Sequence, residues 1–380
     1  MWRRRLPPMS EPDPDAILYE SPIHEQGRTL GGELAAAFGV ADHRFFREIA
    51  RWAPLRDALA GAVGDPDATM DALVGLGEGC PNGGMLLSLG AHAFAVAGAV
   101  AKFAEDRTRG ALLPQLASGS MIGAFAATEA KAGSDVMAME TRYGETRSGY
   151  VLNGEKAWIS NATQADVFVI FATKDPRLHS RGVSAFLVER ATSGVATTAV
   201  PMPGHGGSSL GSVKLSEVHV GHDSLIGRAN AGAQVFRHAI VQERILLSAF
   251  LVGSIRRALT RSIEHAKSRQ QFGAPIACNQ YVSGRIVDIY RRYATTRLLL
   301  QYAVNRLQLG IATEADASLV KLQCSEAAVE SNLDAFRIHG ARGLETAGSE
   351  GLIDVLSSLT YSGTSDLQKV IIAASLGLQS

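Results

Sequence analysis

At 380 residues and 46% hydrophobic content, the chain can bury two or three packed units, which excludes a wholly disordered or fibrous protein. Lysine plus arginine balance aspartate plus glutamate at 37 each, so no net field draws the protein onto nucleic acid or an anionic membrane. Cys80, Cys278 and Cys324 stand far apart with no CxxC or Cys/His spacing, which argues against a disulfide framework or a metal site and fits a reducing cytoplasm.

Residues 1–20, beginning "MWRRRLPPMSEPDPDA", carry positive charge with no apolar segment behind it and are expected to be a disordered extension, not a signal peptide. Residues 21–121 read as an N-terminal helical domain, broken at "GDPDAT" and "GEGCPNGG". The apolar run 86–104 contains His92, Lys102 and many small residues, so it reads as a buried core helix, not a membrane span. Residues 122–230 switch to short β-rich runs, "IGAFAAT", "GYVLNGEKAWIS", "ADVFVIFAT", "VSAFLVER" and "SVKLSEVHV". Helical periodicity returns over 231–380, in segments 232–268, 279–308, 313–339 and 350–357 and in a last helix from near Ser365. Helices and strands are segregated along the chain, which predicts an α+β fold with a β unit between helical layers.

Four stretches carry chemistry. In "AATEAKAGSDVMAMETRY" (126–143), Gly133 and Ser134 permit close backbone approach to a ligand, and Thr128 and Ser134 offer hydroxyls; alone, it also reads as an ordinary loop. The others are "YVLNGEKAWISNA" (150–162), "HAKSRQQFGAPIACNQ" (265–280) and "YSGTSDLQ" (361–368). Gly207–Gly211 matches G-x-S-x-G in form but precedes a β-like run, so it reads as a loop and not a hydrolase elbow. His205, with no carboxylate partner evident in the sequence, reads as a loop histidine.

Together these stretches resemble the acyl-CoA dehydrogenase family: T-E-x-x-A-G-S-D, N-G-x-K-x-W-I-(S/T)-N, R-x-x-F-G with its downstream Gln280, and the terminal motif, over roughly residues 80–375. The resemblance implies an N-terminal helical domain, a central antiparallel β domain and a C-terminal four-helix bundle. It also implies FAD between the β domain and the bundle, in a homotetramer or homodimer. Phe125, Ala127 and Thr128 would then line the isoalloxazine edge, Trp158 and Ser160 its other side, and Gly133 and Ser134 the pyrophosphate and substrate thioester. Arg269 and Phe272, with Gln280, would reach the FAD of a neighbouring subunit. Arg337 and Gly340 stand where the family has Gln-x-x-Gly-Gly-x-Gly, and Arg337 would meet a phosphate. Thr364 and Asp366 complete the cofactor-binding set.

The reaction implied is α,β-dehydrogenation of an acyl thioester, for which many members use the glutamate of a Tyr-Glu-Gly-Thr run. Here the run is Tyr361-Ser362-Gly363-Thr364, and an unassisted serine hydroxyl is far too weak a base. On the helix from Gly232, Ile240, Leu246, Leu247, Phe250 and Leu251 fall on the same face as Glu243, so its carboxylate is expected to be buried and its pKa raised. Glu243-Arg244 is similar to the Glu-Arg pair of the isovaleryl- and long-chain acyl-CoA dehydrogenases, which carry their base on this helix. By that resemblance Glu243 is the base, and Ser134, Ser362 (through its N–H) and Arg244 contact substrate. Ser-Gly-Thr-Ser together with Glu-Arg also resembles the prolyl carrier-protein dehydrogenases of natural-product pathways. The substrate is thus an acyl-CoA or an acyl or aminoacyl carrier protein, with an electron-transferring flavoprotein as one candidate acceptor. A flavin oxidase or monooxygenase, or a non-catalytic flavin-binding subunit, stand as alternatives.

Overall fold

Short oxygen-bearing side chains accept from the first turn of most long helices and set where they begin. A computed structural model describes residues 20–378, the side chains of 346–350 excepted, so the extension expected over 1–19 lies outside the described residues. Glu20 departs from that expectation, being held by an ion pair with Arg256. The N-terminal helices are α1 (Pro22–Ala37, capped by Ser21), α2 (His43–Ala50, capped by Asp42), α3 (Pro66–Gly79, capped by Asp65), α4 (Gly83–Phe103, capped by Asn82) and α5 (Asp106–Ala117). α4 is long and apolar enough to cross a membrane, but 94% of its apolar window is buried inside the protein. It widens to a π-helix over Ala91–Ala97, and there His92 latches it to the sheet: Nε2 donates to the Leu116 carbonyl (3.1 Å) and Nδ1 accepts from Gly123 N–H (3.0 Å). Burial holds that imidazole near pKa 4, hence neutral.

The sheet contains β1 (Gly123–Ala126), β2 (Arg142–Thr146), β3 (Gly149–Ile159), β4 (Val167–Thr173), β5 (Val183–Glu189), β6 (Val195–Ala199), β7 (Gly211–Gly221) and β8 (Leu225–Ile226), in the order β6-β7-β3-β2-β4-β5-β8. Pairing is antiparallel except along one edge of β4, where β1 and the first residue of β2 run parallel to it. All seven residues of β4 are buried, as its unbroken apolar run requires of a central strand. β2, β6 and β8 are additions to the strands read from sequence; all three are short, and most residues of β2 and β6 reach solvent.

The C-terminal helices are α6 (Gly232–Ser268), α7 (Gln280–Gln308), α8 (Glu314–His339), α9 (Thr346–Ser357) and α10 (Ser365–Ser375). α6, α7 and α8 pack on one another, and α10 packs on α8 to complete the bundle. α6 also packs on α3, which explains apolar residues on nearly all its faces. That crossing is close: a Cβ on Gly253 would lie 2.2 Å from the Val74 carbonyl oxygen, and one on Gly77 2.4 Å from that of Phe250. Between α6 and α7 a hairpin, β9 (Gln270–Gln271) and β10 (Ala274–Pro275), carries a fully exposed Phe272.

A buried ion pair ties two of the sequence motifs together. Lys156 of β3 is wholly buried, and its Nζ donates to Glu129 Oε1 (2.8 Å) and to the Ala127 carbonyl (3.0 Å). Glu129 also accepts from Glu140 N–H (2.6 Å) and Thr141 N–H (3.0 Å). Burial lowers the lysine to about pKa 8 against the pull of Glu129. For Glu129, burial opposes the charge, but the Lys156 ammonium and the hydrogen bonds outweigh it and hold the carboxyl below its usual range. Removing one member strands the other, so Lys156→Met should lose about 3–5 kcal/mol in denaturant unfolding, with much of it restored in Lys156→Met/Glu129→Gln. A single variant within about 1 kcal/mol of the parent would show that the pair contributes little.

Candidate active site

A cleft of about 720 Å³ opens where the ends of β1 and β3 face α6 and the turn between α9 and α10. Phe125, Ala127 and Thr128 enter it from β1 and the residues beyond. Trp158 and Ser160 enter from the end of β3, and Gly133 and Ser134 from the intervening loop. The two motifs meet because Ala157 N–H donates to the Thr128 carbonyl (3.0 Å) beside the Lys156–Glu129 pair. Trp158 has φ 54° and Asn161 φ 65°, left-handed conformations that L-residues adopt only when held there. Asn161 is held by its buried amide, which donates to the carbonyls of Ser88 and Gly123 (3.0 Å each). The indole of Trp158 is left 52% exposed. Beside Gly133, no atom of the described residues other than its chain neighbours lies within 4 Å of where a Cβ would stand. The cleft can therefore take a flat aromatic ring against Trp158, with hydroxyls along its edge and room for the ring's tail at Gly133.

From the helical side α6 presents Glu243, which is 7% exposed, and the five apolar residues expected on its face are buried with it. Burial raises its pKa to about 7; the Arg244 charge and a hydrogen bond from the Ser362 side chain oppose the rise. Ser362 (φ 52°) and Gly363 (φ 92°) form consecutive left-handed positions in the α9–α10 turn. A Cβ on Gly363 would stand 2.8 Å from Gln368 Nε2, so glycine is needed there twice over. The Ser362 carbonyl accepts from Arg244 Nε (2.9 Å), and Arg244 Nη1 donates to Ser318 Oγ (3.3 Å). Arg244 reaches the cleft wall, and its guanidinium anchors this turn, a positioning role. Buried Gln368 adds donations from Nε2 to the carbonyls of Ser362 (3.3 Å), Gly363 (2.9 Å) and Thr364 (3.4 Å). Thr364 caps α10 and lines the cleft. Among the described residues the Ser362 N–H has no backbone acceptor.

The remaining expected cofactor residues do not line the cleft. Arg269 and Phe272 belong to the α6–α7 hairpin, and Gln280 opens α7. Arg337 and Gly340 end α8, where Arg337 pairs with Asp334 (3.1 Å), a carboxylate it shares with Arg285 and Arg292. Asp366 lies on the exposed first turn of α10 and pairs with Lys369 (3.2 Å). The sequence reading missed Gln368, whose only signal was its place one turn after the Thr364 cap. It also missed Tyr361, Phe236 and His205 as parts of the wall. Gly207–Leu210 is a loop that leads into β7 at Gly211, and the buried Ser208 hydroxyl donates to the His205 carbonyl (2.8 Å), so it offers no nucleophile.

Comparison with known proteins agrees with this geometry. Residues 230–377 match the acyl-CoA dehydrogenase C-terminal domain and residues 124–218 the acyl-CoA dehydrogenase middle domain. The L-prolyl-(peptidyl-carrier protein) dehydrogenase of Pseudomonas fluorescens is 38% identical over 315 residues, 82% of this chain and 83% of that protein. The structure of PigA with FAD and proline superposes with a TM-score of 0.89 at 30% identity, covering 98% of this chain and 100% of that one. The prolyl acyl carrier protein oxidase AnaB does so with a TM-score of 0.88 at 30% identity, covering 94% and 100%. With both domain matches in chain order and the fold shared along nearly the whole length, the chain belongs to the acyl-CoA dehydrogenase family.

Proposed function

We propose that this protein is an FAD-dependent dehydrogenase that desaturates the α,β bond of an acyl thioester, with Glu243 as base. The thioester we favour is carried on a carrier protein, as the names of its relatives suggest. The observation that carries the reading is the Glu243 carboxylate, buried in the cleft wall across from Trp158 and poised near neutral pH. The cleft fits the cofactor: Phe125, Ala127, Thr128, Trp158 and Ser160 would hold the flavin ring, and the open space at Gly133 and Ser134 its chain. The flavin supplies, when bound, the hydride acceptor that no side chain can provide. Glu243 takes the α-proton on its carboxylate. The Ser362 N–H is the donor we assign to the thioester oxygen, aimed by Arg244 and Gln368 from behind. Similarity to an enzyme named an oxidase supports a second reading, in which oxygen and not an electron-transferring flavoprotein reoxidises the flavin. Oxygen consumption during turnover separates the two.

Glu243→Gln should retain its flavin and lose anaerobic bleaching by thioester substrates by at least about a thousandfold, whereas Ser362→Ala should keep most of it. Full bleaching in Glu243→Gln would remove Glu243 from the base role.

The base must be ionised, so bleaching should rise with pH through about 7, and Ser362→Ala, which loses a hydrogen bond to the carboxylate, should move that midpoint upward. The folded pKa lies above the ordinary 4.5, so the folded state holds the proton more tightly and stability falls as pH rises from about 4.5 through 7. Glu243→Gln should accordingly be more stable than the parent at pH 8, by on the order of 3 kcal/mol, and equal to it at pH 4. A constant difference across that range would contradict the buried carboxylate.

Arg269, Phe272 and Gln280 lie outside the cleft on an exposed hairpin and helix start, which supports assigning them to the flavin site of a neighbouring copy in a homo-oligomer. Phe272→Asp should then sediment as a smaller species with less than one flavin per chain. Unchanged sedimentation and flavin content would count against the assembly.

A further inference from the structure

His205 belongs to the cleft wall but has no part in the chemistry or flavin contacts assigned above. It occupies the loop before β7 in a left-handed conformation (φ 68°, ψ 27°), with 6% of its surface exposed. Among the described residues, neither ring nitrogen has a hydrogen-bond partner. A buried imidazole ordinarily satisfies both, as His92 does through Leu116 and Gly123. Asp354 accepts from His205 N–H at Oδ1 (2.9 Å) and from Gly83 N–H at Oδ2 (2.7 Å) and makes no bond to the ring. The His205 ring sits 5.4 Å from that of Tyr361. Both belong to the wall that also holds Glu243, and both border a void of about 30 Å³ lined by Leu86, Leu247 and Phe250. Burial keeps the imidazole below its usual pKa, with Asp354 opposing, so near neutral pH one nitrogen donates and the other accepts.

A buried polar ring on a costly backbone conformation, with no hydrogen-bond partner among the described residues, calls for a partner that arrives with the ligand. That partner belongs to the reacting end of the substrate, since His205, Tyr361 and Glu243 line the same cleft and the His205 ring lies against that of Tyr361. An anionic substituent would face Glu243 and Asp354 at once, which favours a hydrogen-bond donor for the accepting nitrogen. We infer that His205 determines specificity by accepting a hydrogen bond from an N–H on the substrate's α-carbon, so that the enzyme selects aminoacyl over plain acyl thioesters. The inference rests on the thioester-dehydrogenase reading above and adds the class of acyl group.

Prolyl and cyclopentanecarbonyl thioesters on the same pantetheine carrier share a ring and differ by that N–H. Anaerobic bleaching of the flavin-loaded enzyme should be at least about tenfold faster with prolyl, the worth of one neutral hydrogen bond to an otherwise unpaired group. His205→Leu should abolish the preference by slowing prolyl about tenfold, with the carbocycle within about twofold of the parent and flavin content unchanged. If the leucine variant fails to hold flavin, His205→Gly, which suits the left-handed backbone, decides by the same ratio. An unchanged ratio, or an equal fall with both substrates, overturns the assignment. Bleaching of the parent by the carbocycle but not by prolyl ends it too and leaves the dehydrogenase reading standing, whereas bleaching by neither ends both.

Discussion

A lysine taken wholly out of water survives only where a carboxylate and a carbonyl meet its ammonium, and here they come from the neighbouring element. Lys156 belongs to the strand that ends at Trp158; Glu129 and Ala127 belong to the segment that carries Thr128. The pair therefore does more than neutralise itself: it sets the distance between two loops that would otherwise be free to part. Trp158 can be kept in a left-handed conformation with half its surface uncovered because the backbone on both sides is pinned, by Lys156 before it and by Asn161 after it. The sheet side of the cleft is a rigid frame built around one buried charge pair.

The helical side obeys a different electrostatic logic. Glu243 is buried without a full counter-charge at its oxygens, since the Arg244 guanidinium turns to Ser318 and the Ser362 carbonyl. The carboxylate is therefore less stable than it would be in water, and that deficit is what brings its proton affinity into the neutral range. Ser362 suits this arrangement. Its side chain donates to Glu243, where a second carboxylate would repel it and drive its pKa higher still. The turn keeps its shape through Gly363, Arg244 and Gln368, so replacing an acid by a hydroxyl changes the charge of the site while its backbone stays aimed at the cleft.

Legibility followed the physics of each residue. The long C-terminal helices could be bounded within a few residues because periodicity, caps and breakers all act locally. β6 escaped notice because a short polar edge strand has no alternation to read, and β2 because it follows the motif loop directly. Helix α5 continues through Pro114, a residue that usually marks a helix boundary. On the cleft, Phe125, Thr128, Trp158, Glu243 and Ser362 could be named from motif spacing. Gln368 and His205 could not, because a glutamine on a helix and a histidine in a glycine-rich loop look alike whether they face solvent or a cavity.

The sequence by itself determined the order of helical and β segments, the family and the face of α6 on which Glu243 sits, since each depends on near neighbours along the chain. Tertiary structure decided which charges meet. It placed Lys156 on Glu129, turned Arg244 toward the Ser362 carbonyl, left Arg337 on Asp334 outside the cleft, and buried the His205 ring without a hydrogen-bond partner among the described residues. Lys156–Glu129, Arg244–Ser362 and His205–Asp354 join residues 27, 118 and 149 positions apart, and no local pattern encodes the angle at which two distant elements cross; Arg337 and Asp334 share one helical turn.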